Sequence, residues 1–86
     1  MTKIHDVGGV KVALSEIDGF QLSKFLSTMS VVPDLKSMIK TDDNGLIVSF
    51  EPKNISWGFV FFIQNLMIMQ RMNIMDDFMR KEGLIL

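Results

Sequence analysis

Ile55-Ser56-Trp57-Gly58-Phe59-Val60-Phe61-Phe62-Ile63-Gln64-Asn65-Leu66-Met67-Ile68-Met69 is the stretch on which the fold turns, because two periodicities run through its first half. With a period of two, Ile55, Trp57, Phe59, Phe61 and Ile63 share one face of a strand, with Ser56, Gly58 and Gln64 on the other. With a period of 3.6, Phe59, Phe62, Ile63, Leu66 and Met67 fall at i, i+3, i+4, i+7 and i+8 of a helix. Beyond Gln64 only the helical period persists. Met67, Ile68, Met72, Ile74, Met75, Phe78 and Met79 gather on one side, and Asn65, Asn73, Asp76, Asp77 and Arg80 on the other. Asp76/Arg80 and Asp77/Lys81 are i, i+4 pairs, and Gly83 suits the position just past a helix end. The preferred reading is a helix that begins between 54 and 64, with a strand at 55–63 as the open alternative. An unbroken helix from Asn54 to Glu82 would run about 40 Å, whereas a compact chain of 86 residues is about 30 Å across. Either the element breaks near Gly58 or Gln64-Asn65, or a second chain covers the excess.

Upstream, Asp42-Asp43-Asn44-Gly45 is the best turn signal, since Asn-Gly supplies the positive φ angles of a tight hairpin. Leu46 to Phe50 is strongly β-prone. Ser37 to Thr41 is weaker, and can pair with it or finish a short helix begun at Pro33. Between 18 and 30 a helix is expected, with Leu22, Phe25, Leu26 and Met29 as its apolar stripe, Ser15 or Asp18 as its cap and Val31-Val32-Pro33 as its stop. At the start of the chain, Val10 and Val12 alternate with Gly9 and Lys11, a short strand or hairpin turning at Gly8-Gly9. The expected fold class is α+β: one small domain over 1–86 with a short antiparallel sheet, one helix in the N-terminal half and a long apolar C-terminal helix.

Nine basic and ten acidic residues leave a net charge of −1, so no strong field attracts phosphate backbone or anionic lipid, and nucleic acid is not the default partner. The chain contains no cysteine, which removes disulfides and thiolate metal sites as staples for a domain too short to bury much surface. Nearly half the residues are nevertheless apolar, which leaves oligomerisation as the staple. No signal-peptide pattern opens the sequence, and a cytoplasmic location is expected. The apolar run from 55 to 69 is too short, and too interrupted by Gln64-Asn65, for a membrane span.

Motifs that carry chemistry dissolve on inspection. From Lys40 to Glu51 the spacing follows a calcium-binding EF-hand loop except at its first ligand, where a lysine ammonium would repel the cation; the hairpin reading is preferred. His5 is the only histidine and reads as a residue near a mobile terminus; no serine sits in a nucleophile motif, and Gly8-Gly9 lacks the rest of a phosphate loop. No catalytic, metal or cofactor site is expected, and the protein is expected not to be an enzyme. Five of the eight methionines lie between 67 and 79. A methionine-rich helix face packs as ordinary core or serves as an adaptable binding surface, and Leu66 and Met69 add apolar surface on its polar side. The expected function is therefore an interaction or assembly module, self-associating as a homodimer through Trp57, Phe59, Leu66, Met67, Met69, Met72, Met75, Phe78 and Met79. The alternative is a small inhibitor or adaptor that masks a larger enzyme or nucleic-acid-binding protein.

Overall fold

The chain opens with a hairpin of β1 (Thr2–Val7) and β2 (Val10–Ser15), in antiparallel register with Val7 opposite Val10. Gly8 and Gly9 form its two-residue turn with φ of 60° and 84°, the left-handed pair that matches strand twist, and the Gly9 N–H donates to Asp6 Oδ1 at 3.0 Å. The structure, a computed structural model, describes residues 2–31, 33–81 and 83, with side chains described through Asn73 in the last helix. Along β2 the alternation is clean: Val10, Val12 and Leu14 enter the core while Lys11 stays in solvent.

The helix α1 (Glu16–Ser27) follows without a loop because Ser15 caps it, its Oγ accepting from the Asp18 N–H at 3.1 Å. It starts two residues earlier than expected and ends three earlier. The hydroxyls of Ser27 and Thr28 each donate to the carbonyl three residues back, Lys24 and Phe25, at 2.8 Å, so the last turn closes on itself before Pro33 can end it. Leu22 is buried, and Phe25, Leu26 and Met29 pack beside it.

Both readings of 33–41 prove right in succession. The short helix α2 (Leu35–Met38) buries Leu35 and Met38, and the chain passes directly into β3 (Ile39–Thr41), which pairs with β4 (Ile47–Phe50). The hairpin turns at Asn44-Gly45 as expected, by a different turn. Only Gly45 has a positive φ, 81°, and its N–H donates to Asp42 O at 3.1 Å, while the Asp42 N–H donates to Leu46 O at 2.9 Å. Asp42 Oδ1 fills the loop by accepting from the N–H groups of Asn44 and Leu46, both at 2.9 Å. A three-residue loop, Asp43-Asn44-Gly45, closed by one left-handed glycine therefore replaces the two-residue turn, and the aspartate side chain holds the extra residue.

The ambiguous stretch is helix. Ser56 caps α3 (Trp57–Lys81), its Oγ accepting from the Phe59 N–H at 3.3 Å and its carbonyl from the Val60 N–H at 3.1 Å. The helix passes Gly58 and Gln64-Asn65 without a break. At 25 residues it is about 37 Å long, and the molecule measures 47 × 22 × 22 Å with a radius of gyration of 13.9 Å. A compact chain of this length has a radius near 12 Å, so α3 carries the molecule beyond its own globule. The ion pairs expected at Asp76/Arg80 and Asp77/Lys81 lie outside the described side chains.

The core forms where the inner face of α3 meets β2, α1 and the second hairpin. Phe59 and Ile63 are its most enclosed side chains, with Leu14, Leu22, Leu35, Ile39, Ile47 and Leu66 around them. Phe25 stands edge-on to Phe59, ring centroids 5.8 Å apart, and also meets Phe62 at 5.1 Å, tying α1 to α3. His5, expected near a mobile terminus, is instead part of β1. A Cβ added to the buried Gly19 of α1 would lie 2.9 Å from the imidazole, so the glycine is what lets helix and ring approach.

Candidate interaction face

Gln70 fixes the orientation of α3. It lies in phase with Phe59, Ile63 and Leu66 on the inner face and is itself buried, a position that carries a polar group only if its partners are supplied. Its Oε1 accepts from the Ile47 N–H at 2.9 Å, and its Nε2 donates to Ala13 O at 3.0 Å and Gly45 O at 3.2 Å. Gly45 O also accepts from the Ala13 N–H at 2.8 Å. One side chain thus links α3, β2 and the second hairpin at the point where the two hairpins meet, and the rotation of α3 about its axis is set.

With that rotation set, the face opposite the core is also set. At about 100° per residue, Trp57, Phe61, Ile68 and Met72 lie within about 60° of one another and about 180° from the inner stripe. They are exposed by 75%, 58%, 54% and 58% respectively. Trp57 and Phe61 stack at 6.2 Å between centroids, forming one aromatic surface at the start of the helix. Gln64 and Asn65 flank the middle of this outer stripe, both exposed, and no charged side chain lies on it through Met72. The single methionine-rich side expected beyond Gln64 is therefore two faces: Met67 packs against the core, while Ile68 and Met72 point away from it.

The nine residues assigned to an interface divide accordingly. Trp57, Met69 and Met72 stand exposed, Met67 is half-buried against the core, and Phe59 and Leu66 are buried within the domain and offer nothing to a partner. Met75, Phe78 and Met79 lie on the helix, with side chains outside the described residues. Phe61 and Ile68 belong to the outer face and were not assigned to it. The 100° periodicity holds the signal: once Phe59, Ile63 and Leu66 are inside, residues two positions away point out. The same phase picks out Gln70 as a polar residue on an apolar face.

Elsewhere the surface is less organised. Thr28, Met29, Pro33, Asp34, Lys53 and Asn54 help to line an open cleft of about 660 Å³ where α1 and α2 approach the start of α3. Among the described residues, no group of three or more His, Cys, Asp or Glu side chains gathers, and no helix is long and apolar enough to cross a membrane. Compared with family models, with curated proteins and with solved structures, the chain matches none.

Proposed function

We propose that the protein is a non-enzymatic assembly module that binds a second copy of itself through the outer face of α3. What supports this reading is the exposed stripe of Trp57, Phe61, Ile68 and Met72, opposite the core on a helix longer than its own globule. Applied to residue areas of about 150–250 Å², the fractional exposures leave on the order of 500 Å² of mainly apolar surface per copy. Fully covered, two such faces would bury about 1,000 Å² together, the lower bound for a specific interface. The stripe carries no charge through Met72, so like faces can meet without repulsion.

The test is the mass of Phe61→Glu with Ile68→Glu. Both positions are exposed in the single chain, so the variant should keep the wild-type circular dichroism. In the assembly it would bury unpaired ions at a cost of several kcal/mol, which weakens association roughly a thousandfold at about 1.4 kcal/mol per decade. Phe59→Ala is the contrasting variant. It empties the core and should cost about 3–5 kcal/mol of folding stability. A glutamate variant that keeps the wild-type mass would exclude the outer face as the contact.

A further inference from the structure

We infer that two copies pair through α3 antiparallel, about a two-fold axis passing between Gln64 and Asn65. The inference rests on the self-association proposed above and deepens it by giving orientation and register. Trp57 lies as far before the Gln64-Asn65 peptide as Met72 lies after it, and Phe61 as far before as Ile68 after. The outer stripe is therefore its own complement under a two-fold rotation, the condition that an isologous interface imposes.

The rotation sets Trp57 level with Met72 of the second copy and Phe61 level with Ile68 of the second copy. Each layer then joins one ring to one aliphatic side chain, and bulk is shared evenly along the seam. A parallel pair would stack two tryptophans at one end and two methionines at the other. At the midpoint, Gln64 and Asn65 lie about 50° to either side of the stripe's centre line. In an antiparallel pair, residues flanking the seam meet their own symmetry mates, so Gln64 faces Gln64 and Asn65 faces Asn65. An amide carries both donors and acceptors and can satisfy its own copy, and a polar pair at one level selects one register over its neighbours. A two-fold axis at Ile68 would instead set the two Gln64 side chains about 12 Å apart along the seam and break the amide pair. Because the core faces lie on the far sides of both helices, the two globules stand outside the pair and do not collide.

The chain has no cysteine, so a cysteine introduced on the outer face is its only thiol. Copies of Phe61→Cys and Ile68→Cys, each first shown by sedimentation to keep the wild-type mass, are mixed, allowed to exchange and oxidised. The mixture should yield at least about tenfold more covalent dimer than either variant alone, because facing positions reach disulfide distance and others do not. Trp57→Cys with Met72→Cys should behave the same way and serves where the first pair fails to keep its mass. Phe61→Cys and Ile68→Cys each linking efficiently to itself would show a parallel pair and overturn the inference. Only one of the two variants linking to itself would move the axis to that residue and also overturn it. A wild type that sediments as a dimer while neither mixed pair links would overturn the register and leave self-association standing. A monomeric wild type would overturn both.

Discussion

Gln70 and Gly45 meet at one carbonyl, and each holds a different part of the fold there. Replacing Gln70 by leucine keeps most of the volume but leaves the buried Ile47 N–H without its acceptor and removes the donor shared by Ala13 O and Gly45 O. An unsatisfied buried group costs about 1–3 kcal/mol. Gln70→Leu should therefore lower the denaturant midpoint, and amide exchange at Ile47 should accelerate more than elsewhere in β4. Unchanged protection at Ile47 would show that another group takes over the bond. Gly45 is constrained twice. Its φ is positive, and an added Cβ would lie 2.7 Å from the Ala13 nitrogen and 2.8 Å from Ile4 Cδ1. The left-handed penalty alone is about 1–2 kcal/mol for a residue with a side chain. With the backbone contact added, Gly45→Val should lower the melting temperature by roughly 10 °C or more, at about 4–8 °C per kcal/mol in a domain of this size. An unchanged melting curve would contradict the close approach of the two hairpins.

At the scale of elements, residue types revealed the alternations and the turns but not the choice between strand and helix at 55–63. Val10, Val12 and Leu14 announce β2, and Ser15-x-x-Asp18 announces the start of α1, because local pattern and local hydrogen bonding agree there. In the C-terminal segment they conflict: Trp57, Phe59, Phe61 and Ile63 alternate as a strand would, yet the helix caps on Ser56 and buries Phe59, Val60 and Ile63. The alternation survives only as the division between an inner face and an outer one. Phe59 and Leu66 left the expected interface for the core, and Phe61 and Ile68 joined the exposed stripe, because a helix's rotation depends on tertiary partners such as Gln70. Helical phase sets that glutamine on the apolar face, but the partners that let it be buried there, Ile47, Ala13 and Gly45, lie in other elements. Gly58 illustrates the same separation. It reads as a break, but α3 runs through it, and an added Cβ would find its nearest neighbour, Ser56 Oγ, 4.0 Å away. Gly58→Ala should therefore raise folding stability by about 0.5–1 kcal/mol, by reducing the freedom of the unfolded chain. Destabilisation on thermal melting would argue against a helix through that residue.

The whole molecule joins a small globule to a helix that exceeds it. An 86-residue chain has little core with which to hold itself together, and this one uses the inner face of α3 for that purpose and leaves Trp57, Phe61, Ile68 and Met72 uncovered. Covering them with a second copy would add stabilisation that no disulfide can supply in a chain without cysteine, and would make the melting temperature rise with protein concentration by mass action. The most direct measurement is sedimentation equilibrium of the unmodified protein from about one to about a hundred micromolar, a range that brackets affinities near −8 kcal/mol. The account predicts a mass approaching twice the 9.8 kDa of the single chain at the upper end. A mass that stays at 9.8 kDa throughout would contradict it.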